Sequence, residues 1–215
     1  MSAIEHLPVD AVVLAAGFGR RLGYPKAALR LKDQWILPKL VHALERGGAR
    51  KVFVVLSPTS EQAIEGFGHP GGQRLLNPEP ESGRTGTLQR ALQEIALQPP
   101  QGLLVHPCDV PLLLPDAVTA LLRAWNKQKR PSSFLARPVT AAGRGGHPLL
   151  IGADFFPELA GYAPDQSLRD LLHRHRDKLL DVKYTADPGP FLDVDTEANK
   201  QWLESLLDPA SDDAD

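Results

Sequence analysis

The chain has 215 residues, of which 42% are apolar and 23% are charged; this composition excludes a disordered or collagen-like protein and provides enough apolar residues for a sizeable core. Its 24 basic and 26 acidic residues leave a formal net charge of -2, so the chain as a whole has no attraction for nucleic acid or for an anionic membrane. The single cysteine, Cys108, excludes an intramolecular disulfide and a thiolate zinc cluster.

The sequence carries no signal for export or membrane insertion. Its first residues lack the cationic start and apolar core of a secretory signal, and no apolar run approaches the roughly 20 residues that a membrane helix needs. We therefore expect a cytoplasmic protein. No linker divides the sequence, so residues 1–207 are predicted to form a single domain. Residues 208–215, which include four aspartates, are predicted to be a disordered acidic tail.

An apolar run at residues 12–16 leads into a glycine-rich loop. The run reads Val-Val-Leu-Ala-Ala; it is too short for a helix and begins with β-branched residues, which predicts a strand buried on both faces. Gly17, Gly19 and Gly23 follow. Because glycine has no Cβ and tolerates positive φ, a ligand can approach the backbone amides of this loop. The stretch therefore predicts a phosphate-binding loop.

Three cations accompany the loop. Arg20, Arg21 and Lys26 lie within seven residues, and Pro25 stiffens the backbone just before the lysine. Together with the glycines they describe a polyphosphate clamp, although the spacing matches neither the dinucleotide fingerprint nor the P-loop. The alternative interpretation is a glycine-containing surface turn whose cations are solvated.

Beyond this loop the sequence alternates between helical and strand patterns. Apolar residues at helical spacing predict helices over 36–46, 59–66, 85–97, 116–126, 167–175 and 197–207. Short apolar runs predict strands over 51–57, 73–76, 103–105, 134–139, 148–151, 179–184 and 191–194. Because apolar strands alternate with helices, we expect an α/β fold with a largely parallel sheet covered on both faces.

Acidic residues follow or end two of the predicted strands. Asp109 comes shortly after strand 103–105, where open α/β sheets bind their ligands. Asp193 and Asp195 are separated by one residue at the end of the last predicted strand. Both side chains would therefore point to the same face of that strand. Such carboxylates suit Mg²⁺. Asp109 is explained equally well as a turn aspartate that accepts hydrogen bonds from nearby backbone amides. Asp193 and Asp195 could instead cap the final helix, for which Thr196 is a candidate N-cap, or be merely solvated.

Four segments together resemble one enzyme family. Residues 14–26, Leu-Ala-Ala-Gly-x-Gly-x-Arg-x-Gly-x-Pro-Lys, resemble the signature of nucleotidyltransferases that join an NTP to a phosphorylated acceptor. The Asp-x-Pro at Asp109 and the Asp-x-Asp-Thr at 193–196 resemble the metal-ligand motifs of the same enzymes. The Gly-His-Pro at 146–148 resembles the molybdenum cofactor cytidylyltransferases of the MobA-like NTP transferase family. The resemblance implies a three-layer Rossmann-like sandwich of the nucleotide-diphospho-sugar transferase type, with a mostly parallel mixed sheet and one antiparallel strand.

The resemblance also assigns roles to individual residues. Arg21, Lys26 and Asp109 would be catalytic, and Mg²⁺ would be held by Asp109 and Asp195, with Asp193 as the alternative to Asp195. Asn77-Pro78 and residues 83–88 resemble the segment that binds the nucleobase and ribose in this family. The residues that would bind the nucleotide are Leu14, Ala15, Ala16, Gly17, Gly19, Arg20, Lys26, Asn77, Thr85, Thr87 and Asp109. The acceptor would be bound by Gly146, His147 and Pro148.

The substrates follow from the same resemblance. The Leu-Ala-Ala-Gly form of the loop is closer to cytidylyl-transferring than to guanylyl-transferring members, so CTP is favoured as the NTP. The implied acceptor is a phosphorylated small molecule such as the molybdopterin cofactor, and a cofactor-receiving enzyme is implied as a partner. The family usually has glycine where Ser167 or Leu168 falls, so acceptor recognition is expected to differ here.

Three other interpretations stay open. Two are enzymes of the same class, namely a guanylyltransferase and a sugar-phosphate or polyol-phosphate nucleotidyltransferase. The third is a catalytically silent nucleotide-binding module, which would bind an NTP without releasing pyrophosphate. Nucleophilic acyl chemistry has no support, because there is no Gly-x-Ser-x-Gly elbow and Cys108 has no nearby base in the sequence.

Overall fold

The computed structural model describes residues 8–207, so the predicted acidic tail at 208–215 lies outside the described residues. The strands are β1 Val9–Ala15, β2 Arg30–Leu31, β3 Gln34–Trp35, β4 Val52–Leu56, β5 Gln73–Leu76, β6 Gly102–Pro107, β7 Leu135–Val139, β8 Leu149–Gly152 and β9 Leu179–Lys183. The α-helices are α1 Ile36–Arg46, α2 Pro58–Ala63, α3 Gly83–Ile95, α4 Pro115–Lys127, α5 Phe156–Ala160, α6 Leu168–Arg174 and α7 Glu197–Leu206.

The main sheet has seven strands in the order β5-β4-β1-β6-β8-β7-β9. Neighbouring strands are parallel except at β8, which is antiparallel to both β6 and β7. The predicted fold class, a mostly parallel mixed sheet with one antiparallel strand, is therefore confirmed. Strands β2 and β3 form a separate antiparallel hairpin that the sequence patterns did not predict.

Alternate side chains of β1 enter two different hydrophobic clusters. Val13 shares one cluster with Leu40 of α1 and Leu121 of α4. Leu14 belongs to the other, together with Leu88 of α3. Because both faces of the strand are buried under helices, every position in it must be apolar or paired, which accounts for the continuous apolar run in the sequence. The clusters are the two interfaces of a three-layer sandwich.

The strand predicted over 191–194 is wrong. Phe191 ends a 3₁₀ turn, and the residues after it are irregular. Two prolines, Pro188 and Pro190, precede or occupy this turn, and proline cannot donate to a strand ladder. The segment is instead held by the N–H of Val194, which donates to the carbonyl of Asp109 at 2.7 Å.

The helices of this fold are short. The longest among the described residues, α3 and α4, have 13 residues each, whereas crossing the hydrocarbon core of a bilayer takes about 20. Accordingly, no helix within residues 8–207 is both long and apolar enough to cross a membrane. Helix α5 has only five residues, too few to show a helical period, so the sequence patterns missed it.

A buried ion pair joins β1 to the start of β4. Asp10, the second residue of β1, is only 1% exposed. It accepts hydrogen bonds from Arg50 Nε at 2.8 Å and from a terminal nitrogen of Arg50 at 2.9 Å. The backbone N–H of Arg50 also donates to the carbonyl of Val9 at 2.7 Å. A buried carboxylate needs such a partner because its desolvation is otherwise uncompensated.

We predict that Arg50→Ala lowers the free energy of unfolding by about 2 kcal/mol, because it leaves the Asp10 carboxylate buried without its cation. This figure is reduced from that of a fully buried pair because the Arg50 side chain is 35% exposed. Urea unfolding of the variant checks the value. Arg46→Ala, at an exposed position in the last turn of α1, is the matched control and should change stability little; equal losses for the two variants would contradict the assignment.

Candidate active site

The glycine loop after β1 turns back on itself around Gly19. This residue has φ +61°, and a Cβ there would lie 1.9 Å from the carbonyl oxygen of Tyr24, so only glycine fits. Its own carbonyl accepts hydrogen bonds from the N–H groups of Leu22 at 2.8 Å and Gly23 at 2.9 Å. The turn delivers the chain to Lys26, the first residue of a 3₁₀ helix.

Lys26 lies between two carboxylates. Its Nζ donates to Asp109 Oδ2 at 2.6 Å and to Asp195 Oδ1 at 2.5 Å. The lysine and Asp109 side chains are 14% and 5% exposed. Burial lowers the pKa of Lys26, but the hydrogen bonds to both carboxylates outweigh it and hold that pKa above the usual value. The hydrogen bond from Lys26 in turn lowers the pKa of Asp195. Lys26 and Asp195 are therefore charged at neutral pH.

Two arginines complete this charged cluster. Arg21 contacts Asp195 Oδ2 at 2.7 Å, and Arg84 contacts Asp109 Oδ2 at 2.9 Å. Both arginine side chains are largely exposed. The cluster has three cations, namely Lys26, Arg21 and Arg84, and two carboxylates. This excess of positive charge beside the glycine loop favours the binding of a polyanion.

Backbone contacts bring the two aspartates together. The Val194 N–H bond to the Asp109 carbonyl holds the segment before Asp195 against the segment after β6. Asp109 is held further by His106: a ring nitrogen of His106 lies 2.9 Å from the carbonyl of Val110. A carbonyl only accepts, so this Nε2 carries the proton. Burial lowers the pKa of His106 to about 3, so the ring is neutral.

Asp193 is not part of this cluster. Its side chain is half-exposed and lies 3.8 Å from Arg144. The expectation that Asp193 and Asp195 share a strand face was wrong, because the segment is not a strand. Thr196, the predicted N-cap, does cap α7 by accepting from the N–H of Asn199, and Asp195 directly precedes it.

The glycine loop, α3 and the end of β6 enclose a cavity of about 200 Å³. Its walls include seven of the residues predicted to bind nucleotide: Leu14, Ala16, Gly17, Gly19, Lys26, Thr87 and Asp109. Four predicted residues lie off these walls: Ala15, buried in β1, and Arg20, Asn77 and Thr85. Arg21, predicted to be catalytic, is not on them either, but it contacts Asp195 beside them.

The predicted polar contacts from Asn77, Thr85 and Thr87 are used within the protein. The amide nitrogen of Asn77 donates to the Thr87 hydroxyl at 3.3 Å, and that hydroxyl donates to the carbonyl of Gly83 at 2.7 Å. The Thr85 hydroxyl donates to the carbonyl of Gln166, just before α6. These hydrogen bonds shape the start of α3 and use the hydroxyl protons of Thr85 and Thr87 within the protein.

A second cavity, of about 470 Å³, lies beside the first and contains the predicted acceptor residues Gly146 and His147 on its walls. The predicted acceptor residue Pro148 is buried next to them and off the walls. A Cβ at Gly146 would lie 2.5 Å from the carbonyl oxygen of Pro190, so glycine is required for this close packing. Burial lowers the pKa of His147 to about 4, which keeps its ring neutral.

The sequence did not single out Arg84 or His106. Arg84 stands in the glycine-bearing segment at the start of α3. A cation in such a segment could have indicated an anion-binding role. His106 lies inside an apolar strand, and nothing in the sequence distinguishes it from a core histidine. Both act on Asp109, Arg84 through its carboxylate and His106 through the next residue.

Sequence comparison places the chain among known nucleotidyltransferases. The model of the MobA-like NTP transferase domain matches residues 11–179. A molybdenum cofactor guanylyltransferase from Shewanella loihica is 27% identical over 207 residues, which cover 93% of this chain and 97% of that protein. A 2-C-methyl-D-erythritol 4-phosphate cytidylyltransferase from Escherichia coli is 34% identical over 142 residues, covering 64% of this chain and 58% of that protein.

Solved structures share the fold. A homologue of the Mycobacterium tuberculosis protein Rv0371c, from Mycobacterium sp. strain JC1, superposes with a TM-score of 0.76 at 26% identity, covering 93% of this chain and 96% of that one. Rv0371c itself, in a complex with manganese, gives a TM-score of 0.71 at 22% identity over 92% of this chain and 98% of that one.

The mixed sheet, the glycine loop and the matching family model define the protein as a nucleotidyltransferase. More narrowly, the chain belongs to the MobA-like NTP transferase domain family, whose model covers most of its length.

We predict that Cys108 is inert despite its position next to Asp109. The thiol is 5% exposed, and burial raises its pKa to about 12. Because the thiolate is the reactive form, alkylation by iodoacetamide at pH 8 should be at least about 100-fold slower than for a free cysteine. The same protein unfolded in urea is the control. Rapid labelling of the folded protein would show that this residue is accessible and ionised.

Proposed function

We propose that this protein transfers CMP from CTP to the phosphate of an organic acceptor, of which the molybdopterin cofactor is the favoured example. An oxygen of the acceptor phosphate attacks the α-phosphorus of CTP, and the bond from that phosphorus to the oxygen leading to the β-phosphate breaks. Pyrophosphate leaves with the electron pair. The proposal depends on the position of Lys26 just after the glycine loop. Its Nζ lies within 2.6 Å of two carboxylates, Asp109 and Asp195, that come from distant segments of the chain.

The chain's own residues would act by position and charge. The backbone amides of the glycine loop and the side chains of Lys26 and Arg21 hold the triphosphate. Lys26 is already fixed in its orientation by two carboxylates, so little reorganisation is needed when charge develops on the phosphates. Phosphoryl-type transfer needs no covalent enzyme intermediate when the reactants are aligned and the charge is neutralised.

Asp109 and Asp195 are suited to a divalent ion, and Mg²⁺ is our proposal. Both carboxylates contact the same lysine nitrogen, and carboxylate oxygens are ligands that Mg²⁺ prefers. Within residues 8–207 there is no group of three or more His, Cys, Asp or Glu side chains that could hold a metal. The remaining ligands would then come from substrate phosphates and water, as is usual for Mg²⁺. When bound, the ion neutralises phosphate charge. The manganese complex of Rv0371c supports a divalent ion in this fold.

Two observations bear on which nucleobase the NTP carries. The Leu-Ala-Ala-Gly form of the loop and the Escherichia coli cytidylyltransferase relative support CTP. The second candidate is GTP, which is supported by the Shewanella loihica guanylyltransferase because that likeness extends over 93% of this chain. A silent binding module is the weaker interpretation, since it would have no need for a lysine shared by two carboxylates.

The function is tested by pyrophosphate release from each of the four NTPs in the presence of molybdopterin and Mg²⁺. We expect CTP to give a kcat/KM at least about tenfold above that of GTP, because a site that hydrogen-bonds one base leaves its polar groups unpaired with another. Faster release from GTP would establish the guanylyltransferase alternative. Binding of every NTP without pyrophosphate release, with any phosphorylated acceptor tried, would contradict the enzyme proposal.

Lys26→Ala should lower kcat by about 100-fold or more, as expected when a preorganised cation facing transition-state charge is removed. Lys127→Ala, at an exposed position at the end of α4, is the matched control and should retain activity. Thermal unfolding of both variants verifies that they are folded. Full turnover by the Lys26 variant would remove this residue from the triphosphate clamp.

A further inference from the structure

The hairpin of β2 and β3 directly follows the 3₁₀ turn that carries Lys26. Its two strands pair antiparallel, and they are connected by Lys32 and Asp33, whose φ angles are +46° and +60°. A tight two-residue hairpin connection needs this left-handed conformation at both positions. The chain therefore reverses at once, and β3 returns to the turn that the chain has just left.

The return places Trp35 against the residue that follows Lys26. The indole Nε1–H of Trp35 donates to the carbonyl of Ala27 at 2.8 Å. Ala27 is only 1% exposed, and a buried carbonyl needs a donor in place of the water that it leaves on folding. Trp35 thus fixes the peptide group that lies one residue beyond Lys26.

The indole ring is itself held by an aromatic neighbour. The ring of Phe67, from the segment after α2, meets it edge-on, with centroids 5.5 Å apart and an angle of 87° between the planes, which is a favoured geometry for an aromatic pair. The guanidinium carbon of Arg30 lies 4.3 Å from the centroid of the Phe67 ring, where cation–π attraction holds that ring in turn. These contacts fix the direction in which the indole N–H points.

The tip of the hairpin is fixed to the last helix. The backbone N–H of Lys32 donates to Glu204 Oε1 of α7 at 2.9 Å. Helix α7 starts two residues after Asp195. The hairpin therefore connects the two sides of the central ion pair, because Trp35 binds the turn of Lys26 and the tip binds the helix that follows Asp195.

The backbone of Lys26 is consequently restrained on both sides. Pro25 precedes it with a φ of -57° that the proline ring fixes, and the Ala27 carbonyl after it is bound by Trp35. A lysine has a long side chain whose rotamer freedom must be lost before its Nζ can meet two carboxylates. A fixed backbone limits that freedom from the start, and misplacement of a catalytic group by about 1 Å can cost about 100-fold in rate.

We propose that Trp35 is a positioning residue for Lys26: its indole N–H holds the 3₁₀ turn so that the Nζ of Lys26 meets Asp109 and Asp195. Trp35 acts from outside the nucleotide cavity, since it is not on the walls of that cavity. Loss of the indole donor lets the turn shift and moves the ammonium group away from both carboxylates. The effect on turnover rests on the proposed function, whereas the placement of Lys26 does not.

Acylation of lysines by acetic anhydride, followed by peptide mass spectrometry, tests the placement without any turnover. The Lys26 side chain is 14% exposed, so its labelling should be slow in the wild-type protein. Trp35→Phe keeps an aromatic ring and removes the donor. It should speed the labelling of Lys26, relative to the exposed Lys127, by about fivefold, the shift expected between the held and the displaced turn when one hydrogen bond is lost. Trp202→Phe, the same change at a residue that is 52% exposed on α7, is the matched control.

Two labelling results would overturn the proposal. The first is unchanged labelling of Lys26 in Trp35→Phe. The second is a rise of equal size at Lys200, which is 22% exposed on α7, because that would show a general loosening of the fold. If Trp35→Phe does not fold, Trp35 is replaced by β-(3-benzothienyl)alanine, which keeps both fused rings and exchanges only the N–H for sulfur. This variant should reproduce the rise at Lys26, and its failure to do so decides against the proposal.

Steady-state kinetics connect the placement to turnover. With the NTP and acceptor that support pyrophosphate release, Trp35→Phe should lower kcat by about fivefold and leave the KM for the acceptor within about twofold. In a Lys26→Ala background the same substitution should have no further effect on kcat, because an indole that acts through Lys26 has nothing left to place. Additive losses would contradict the positioning role. Labelling that depends on Trp35, combined with no pyrophosphate release by the wild-type protein, would refute the enzyme function alone.

Discussion

The interaction on which the candidate site depends is the pair of hydrogen bonds from Lys26 to Asp109 and Asp195. The two contacts span 83 and 169 residues of sequence, so one ammonium group ties the start, the middle and the end of the fold together. Two carboxylates brought this close would otherwise repel each other and take up protons. The lysine offsets this repulsion, and its hydrogen bond lowers the pKa of Asp195.

The sheet positions these groups through its strand order. Because β1 and β6 are parallel neighbours, with Leu14 opposite Pro107, the glycine loop and the Asp109 segment leave the sheet at the same edge. Asp195 has no strand to place it there. It depends on the single backbone bond from Val194 to the Asp109 carbonyl and on the cap that begins α7. The third component of the cluster is thus held by loop contacts and by its own ion pairs with Lys26 and Arg21, and not by the sheet.

The parts of the molecule that the sequence predicted are those governed by local patterns. Helix α1 and strand β5 have the predicted bounds, and the loop at Gly19 follows from a requirement that only glycine meets. The strand expected over 191–194 was wrong because Pro190 cannot donate to a strand ladder, and Phe191 and Val194 enter the core from irregular backbone. Which of two aspartates meets Lys26 depends on contacts between distant segments, and a single sequence does not contain them.

The reversed direction of β8 determines which parts of the sequence form the two cavities. Its first residue, Leu149, lies opposite Val105 near the exit of β6, so the chain enters the sheet at the very edge where the parallel strands leave it. His147, which lines the second cavity, comes from a later part of the chain than the glycine loop does. The wall of the second cavity around His147 and the glycine loop are therefore encoded by separate parts of the chain. Substitutions near His147 can reshape that cavity while the glycine loop keeps its sequence.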